Sequence, residues 1–130
     1  MIMKRSLSVV AVILLSASAS HSLDARVIRQ LNALAPDERR EQRCDMEAMD
    51  RIRAKGEFRP DKVIAYTFSD PVENGNKLKA PGAAFRSGGD WYRLKFRCET
   101  ADKGLKVVSF DYKIGTKVSR DEWTKYYLYD

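Results

Sequence analysis

Hydrophobic positions at the amino terminus form one compact run rather than a periodic pattern. The run covers residues 7–15 and is interrupted by Ser8 alone. It follows a short positive region at Lys4 and Arg5, and the small residues 16–20 come after it. A positive end, a short apolar core and a small-residue exit are the three parts of a secretory signal peptide. The pattern therefore predicts an exported protein.

Cleavage of this leader is expected after Ala19, where small residues occupy the positions that precede the cut. Cleavage after Ser20 or Ser22 is an alternative. The signal peptide is then residues 1–19, and the mature chain is a single domain of residues 20–130. A membrane anchor is disfavoured because the apolar run covers only residues 7–15, whereas a bilayer span needs about 20 apolar residues. No membrane span is therefore expected after cleavage.

Helical periodicity predicts two helices in the first half of the mature chain. The first is short and carries its apolar residues on one side: Leu23, Val27, Leu31 and Leu34. Ser22 is its candidate N-cap, and Pro36 ends it and opens the second helix. The second helix should extend to Lys55 and end before Gly56. Its apolar stripe is narrow: Cys44, Ala48, Met49 and Ile52.

After the second helix the apolar period changes to two, which predicts β-strands. The first strand is expected over residues 63–68, with Ile64, Tyr66 and Phe68 on one side. Asn74-Gly75 is a strong hairpin-turn signal. The return should consist of two short extended pieces, residues 77–80 and 83–86, because Pro81 and Gly82 interrupt the pattern.

Two longer strands, over residues 91–99 and 105–114, show the clearest alternation. Their apolar side chains share one side of each strand: Tyr92, Leu94, Phe96, Cys98, Val108, Phe110, Tyr112 and Ile114. Ser119 and Glu122 form a capping-box pattern that predicts a short final helix. The expected fold class is α+β, with an N-terminal helical segment packed on a four- or five-stranded antiparallel sheet.

Cys44 and Cys98 are the two cysteines of the chain, and export would place both where disulfides persist. Each lies on the apolar side of its predicted element. We therefore predict a disulfide that joins the long helix to the sheet and stabilises the fold by about 4 kcal/mol. The alternative, a redox pair, is disfavoured because catalytic pairs usually follow a Cys-x-x-Cys spacing.

Four short segments carry a resemblance to a known family: residues 41–45, residues 80–87, Trp91-Tyr92 and Cys98. The chain resembles the small exported proteins of alphaproteobacteria grouped as "domain of unknown function 930", over about Leu34 to Trp123. The resemblance implies a Gram-negative envelope and hence a periplasmic location. It implies no particular activity.

Residues that usually carry catalysis or hold metals are scarce in this sequence. The one histidine, His21, lies near the expected mature amino terminus, which disfavours Ser-His-Asp and Cys-His catalysis. Asp45 and Glu47 are two positions apart on a helix, so their side chains diverge. Two cysteines are too few for a four-thiolate zinc site, and no phosphate loop, dinucleotide fingerprint or calcium loop is present. We predict no catalytic residues, no metal and no cofactor.

The net charge of the chain is +6, and several of its cations lie on the polar side of the predicted 91–99 strand. Side chains opposite the apolar ones on the 91–99 strand should point outward. With a cation from the preceding turn they form the candidate binding surface: Arg86, Trp91, Arg93, Lys95 and Arg97. Interleaved cations and an aromatic ring suit an anionic glycan, a lipid head group or an acidic protein.

An alternative interpretation makes the same residues an ordinary solvated strand face. Arg93 would then pair across the hairpin with Asp111, and Trp91 would rest on Lys113. The two interpretations differ in whether the outward cations have partners within the chain.

The functional prediction is a periplasmic, non-catalytic module that binds an anionic envelope component or a periplasmic protein. Nucleic acid fits the same electrostatics, but export makes it a poor physiological ligand, so none is expected. A small enzyme acting on the envelope and a structural or stress-protective protein are the alternatives. The sequence does not indicate an oligomeric state.

Overall fold

Two α-helices, five β-strands and three short 3-10 turns follow one another in the computed structural model, which describes residues 23–130. The helices are α1, Ala25–Asn32, and α2, Pro36–Ala54. The strands are β1, Pro60–Ile64; β2, Val72–Asn74; β3, Lys77–Ser87; β4, Asp90–Ala101; and β5, Lys106–Lys117. The 3-10 turns are Asp102–Gly104, Arg120–Glu122 and Thr124–Tyr126. The predicted signal peptide, its cleavage sites and Ser22 lie outside the described residues.

Both predicted helices are present, and their ends are set by local chemistry. The carboxylate of Asp24 caps α1 by accepting a hydrogen bond from the backbone N–H of Val27 at 2.9 Å. Pro36 occupies the first turn of α2, where its missing N–H has no helical partner to lose. The helix ends at Ala54 with Lys55 as its C-cap, one residue earlier than predicted, and Gly56 follows with a φ of 80°.

The strands form one antiparallel sheet in the order β1-β3-β4-β5, with β2 paired to β3 beside β1. β3 is long enough to accept β2 along its first half and β1 along its second half. The fold is therefore α+β with five strands, in agreement with the sequence-based expectation. Among the described residues, neither helix is long and apolar enough to cross a membrane.

The predicted break in β3 is wrong, because residues 77–87 form one continuous strand. A bulge between Ala80 and Ala83 accommodates Pro81 and Gly82 within it. The bulge inserts one residue, so Ala80 and Ala83 both remain on the buried side. A side chain at Gly82 would collide with Ser69, which lies directly against it.

The first strand is shorter than predicted. β1 ends at Ile64, and the chain then turns, which leaves Tyr66 60% exposed rather than packed beside Ile64. The backbone N–H of Phe68 donates to the carbonyl of Gly82 at 2.7 Å. The segment between β1 and β2 therefore lies along the bulge of β3.

The main core lies between α2 and one face of the sheet. The helix contributes Cys44, Ala48 and Ile52, which are buried, while Met49 is half-buried against them. The sheet contributes buried side chains from three strands: Val63, Leu78, Ala80, Ala83, Phe85, Leu94, Phe96 and Cys98. The predicted disulfide between Cys44 and Cys98 joins the two layers, with an S–S distance of 2.12 Å.

A second, smaller cluster covers one end of the opposite sheet face. The chain after β5 folds back over this end through its 3-10 turns. The cluster consists of buried residues from β3, β4 and this C-terminal segment: Ala84, Trp91, Val118, Trp123 and Leu128. The predicted final α-helix is therefore replaced by two 3-10 turns. The hydroxyl of Ser119 donates a hydrogen bond to the Asp121 carboxylate, and it makes no capping hydrogen bond to the backbone of the 3-10 turn that follows.

Candidate functional site

Trp91 does not belong to an accessible surface, and the prediction that it is exposed is wrong. Its side chain is on the expected side of β4, but the C-terminal segment covers it completely. The indole N–H donates to the carbonyl of Tyr129 at 2.8 Å, so both its apolar and its polar parts are satisfied. Trp91 is therefore a core residue.

Arg86 is also withdrawn from the candidate surface. Its guanidinium makes a bidentate pair with Asp61 on β1, at 2.9 and 3.0 Å. These hydrogen bonds hold the pKa of Asp61 below its usual range. The guanidinium also lies 5.6 Å from the Trp91 ring and 5.4 Å from the Tyr129 ring. Arg86 is thus positioned as a cover over the smaller cluster.

Arg93 lies at the boundary between the covered and the open part of the outer sheet face. Its guanidinium carbon is 4.0 Å from the centre of the Phe68 ring, a close cation–π contact. It also approaches the Glu122 carboxylate at 3.7 Å. Arg93 is therefore partly engaged, and it is half-buried.

The open part of the outer face carries a group of four exposed cations on three adjacent strands, here called the basic face: Lys79, Lys95, Arg97 and Lys113. Lys95 and Arg97 were predicted for the site, and the structure brings them beside Lys79 of β3 and Lys113 of β5. They surround a shallow hollow of about 490 Å³ whose lining includes Pro81, Asp111 and Tyr112.

The register of the sheet places like charges directly opposite each other twice within the basic face. Lys79 is the cross-strand neighbour of Arg97, and Lys95 is the neighbour of Lys113. Such like-charged pairs are destabilising. Within residues 23–130, none of these four cations forms a salt bridge. The repulsion is therefore not relieved by a close carboxylate from this part of the chain.

The alternative interpretation predicted that Arg93 pairs with Asp111 and Trp91 with Lys113. The observed register of β4 and β5 differs from this prediction by four residues along β4. Asp111 lies opposite Arg97 rather than Arg93, and Lys113 lies opposite Lys95 rather than Trp91. The turn pairs Ala101 with Lys106, and a bulge after Glu99 shifts the register further. Asp111 is the acidic neighbour in the middle of the basic face, yet it forms no salt bridge with Arg97 within the described residues.

Two members of the basic face were missed from the sequence. The sequence predicts Lys79 on a short separate piece of strand, and that prediction does not align it beside β4. The sequence predicts Lys113 on the polar side of its strand but opposite Trp91, whereas the observed register places it opposite Lys95. The signal that could have found both is the alternation of lysines opposite buried positions, combined with the correct hairpin register.

The basic face can hold anionic groups by Coulomb attraction and hydrogen bonding, with the planar guanidinium of Arg97 able to bind a carboxylate or phosphate in two-point fashion. In the part of the chain that the structure describes, no three histidine, cysteine or carboxylate side chains come together as a metal site.

Comparison with known proteins yields one match. A family model described as Domain of Unknown Function (DUF930) matches residues 31–128, which include α2, the five strands and both cysteines. No curated protein and no solved structure matches the chain. Because the match covers most of the 130 residues, the chain belongs to the family described as Domain of Unknown Function (DUF930).

Proposed function

We propose that this protein is an exported, non-catalytic module that binds an anionic component of the bacterial envelope through the basic face. One observation carries the proposal: two like-charged pairs stand opposite each other without a salt bridge from the described chain. A bound anion would relieve this repulsion, so the arrangement is more favourable in the complex than in the free protein.

The shape of the basic face indicates the kind of ligand. The hollow is shallow and spreads over three strands, so it suits an extended molecule with several negative groups better than a small enclosed substrate. Cations on neighbouring strands are separated by about 5 Å, and those two residues apart on one strand by about 7 Å. Carboxylates or phosphates repeated along a glycan, or lipid head groups at a surface, can meet such a grid.

Export is supported by the leader-like sequence of residues 1–19 and by the Cys44–Cys98 disulfide. The resemblance to alphaproteobacterial exported proteins favours the periplasm as the compartment. Intact-mass analysis of the protein purified from its host is expected to show loss of residues 1–19 and no free thiol. Retention of the leader, or two free thiols, would contradict export.

Binding is tested with vesicles that contain phosphatidylglycerol and with polygalacturonate, each at low salt. The test variant replaces the four cations of the basic face with glutamine. We expect the affinity of this variant to be at least about tenfold weaker for whichever probe the native protein binds, because each cation contributes Coulomb attraction.

A control variant removes the same number of charges elsewhere. Four exposed arginine or lysine residues outside the basic face are replaced with glutamine: Arg26, Arg29, Arg59 and Lys125. Its net charge equals that of the test variant, so a nonspecific charge effect would weaken both equally. Equal loss in the two variants, or no binding of either probe by the native protein, would refute the proposed site.

A further inference from the structure

The helix side of the molecule contains a groove that the basic face does not explain. Its outer part is a hollow of about 530 Å³ between α1, α2 and Tyr66. Its inner part is a hollow of about 270 Å³ between α2 and β1. Both are lined by Gln42, Met46 and Tyr66, so they adjoin each other. We call the two hollows together the helix-side groove.

Asp45 lines the inner part of this groove, and its environment is unusual for a carboxyl group. The residue is 5% exposed, and its Oδ1 atom is buried without a hydrogen-bond partner. Buried polar atoms are nearly always hydrogen-bonded, because an unsatisfied one retains its cost of desolvation. An unpartnered carboxyl oxygen in a groove is therefore a feature that a ligand could satisfy.

The charges around the groove favour a cationic ligand. Glu38 and Glu41 line the outer part, and no lysine or arginine does. In the inner part, Lys62 of β1 lies close enough to Asp45 to favour its ionised form, and the Asp61 carboxylate is paired with Arg86. The outer part of the groove is thus acidic in a protein whose net charge is +6.

Burial favours the protonated form of two acids in this groove, Asp45 and Glu41. Burial raises the pKa of Asp45 to about 8, with a further increase from Glu41 that Lys62 partly opposes. Burial also raises the pKa of Glu41, as do the negative charges of three neighbours: Glu73, Asp37 and Glu38. In the free protein at neutral pH, Asp45 therefore carries its proton for most of the time.

The remaining walls of the groove are apolar or weakly polar. They come from α1, α2 and the turn after β1: Val27, Leu31, Leu34, Met46, Met49 and Tyr66. Flexible methionine side chains adapt well to varied apolar shapes. A hydrocarbon body could lie along this wall while a cationic end reached Asp45.

We propose that the helix-side groove binds an organic ammonium ion with a hydrocarbon body, and that its ammonium group pairs with Asp45. On binding, the protonated carboxyl of Asp45 releases its proton to solvent, and the resulting carboxylate accepts hydrogen bonds from the ammonium group. The unpartnered oxygen is thereby satisfied. This site lies on the opposite side of the sheet from the basic face and is independent of the function proposed above.

The test measures octylammonium binding by isothermal titration calorimetry, with the full chain as the host processes it, at pH 6.5. Titrations in two buffers with different ionisation enthalpies report proton release. We expect release of up to one proton per octylammonium bound. 1-Octanol, which has the same hydrocarbon body and no charge, should bind the groove at least about tenfold more weakly.

Asp45→Asn is the central variant, because asparagine has nearly the shape of the protonated acid. It should weaken octylammonium binding about ten- to a hundredfold and abolish the proton release. Glu57→Gln, which removes an exposed carboxylate elsewhere, is the matched control and should bind as the native protein does.

A second variant keeps the test decisive if Asp45→Asn does not fold. Met46→Lys adds a tethered ammonium group to a residue that lines both hollows, and it should compete with the ligand and abolish octylammonium binding. Absence of octylammonium binding to the native protein would overturn the proposal. So would equal binding of 1-octanol, or unchanged affinity and proton release in Asp45→Asn.

Discussion

Asp45 is a single residue whose position costs the folded protein stability at neutral and alkaline pH. Its carboxyl is buried on α2, and the charged groups that act on it are Glu41 from the same helix and Lys62 from β1, while the nearby Asp61 is paired with Arg86. Desolvation outweighs the attraction of Lys62, because the pKa is raised to about 8 rather than lowered. The native state therefore holds a proton that the unfolded chain releases near pH 4.

Asp45→Asn should change how stability depends on pH. Between about pH 4 and 8 the native protein binds one more proton than the unfolded chain, so its free energy of unfolding falls as pH rises. The slope from this group is up to about 1.4 kcal/mol per pH unit. The variant lacks this slope, so its stability relative to the native protein should increase with pH and level off above about pH 8.

Urea denaturation at several pH values measures this effect, with Glu57→Gln as the control. The control should follow the native curve, since Glu57 is exposed. Parallel curves for Asp45→Asn and the native protein would show that Asp45 is ionised in the folded state and would contradict the inferred protonation.

At the scale of the element, β4 serves two different purposes along its length. Its inward residues belong to the core that α2 shares with the sheet, whereas its outward residues change from buried to exposed between Trp91 and Arg97. The first part of the outer side is covered by the C-terminal segment, and the second part is open and basic. Alternation along β4 predicted its two sides correctly, but alternation cannot report a distant segment that packs on the polar side.

Cross-strand repulsion between Lys95 and Lys113 leads to a prediction about the hairpin of β4 and β5. Lys113→Glu replaces a like-charged pair with an opposite pair. We expect the free energy of unfolding to rise by about 0.2–1 kcal/mol, while binding to the anionic probe falls. Thermal or urea denaturation and the vesicle or polygalacturonate assay measure the two effects.

Lys125→Glu makes the same change of charge at an exposed position outside the sheet. It should leave both stability and binding nearly unchanged. If Lys113→Glu destabilises the protein, Lys95 and Lys113 do not repel each other in the free protein. The repulsion on which the proposed binding role of the basic face depends would then be absent.

At the scale of the whole molecule, the sheet separates two surfaces of opposite chemistry. One side carries the helices and the acidic helix-side groove, and the other carries the C-terminal cover and the basic face. The Cys44–Cys98 disulfide connects the helix layer to the centre of the sheet across 54 positions of sequence. It therefore constrains the unfolded chain from the middle of α2 to the later part of β4.

Replacing both cysteines with alanine should lower the free energy of unfolding by about 4 kcal/mol, because the crosslink restricts a long loop in the unfolded state. The two alanines would add a small packing loss, since both cysteines are buried in the core. Denaturation of the native protein with and without reductant provides the comparison. Reductant should shift the native curve strongly and leave that of the variant unchanged; equal stability of the oxidised and reduced native protein would contradict a structural role.

Local and periodic features were determined by the sequence itself. The apolar stripe of α2, the proline at its start, the Asn74-Gly75 turn and the alternation of β4 and β5 each act over a few residues, so the helices, the strands and the α+β class could be predicted. The cysteine pair followed from count, sidedness and the expected export, and the structure contains the disulfide.

Features that depend on distant segments were decided by the tertiary structure alone. The burial of Trp91 needs the C-terminal segment, and the grouping of Lys79 with Lys113 needs a bulge and an exact hairpin register. The isolation of Asp45 needs β1 and α2 to enclose it. These features arise from contacts between parts of the chain that no short pattern relates, and both proposed binding sites are built from such contacts.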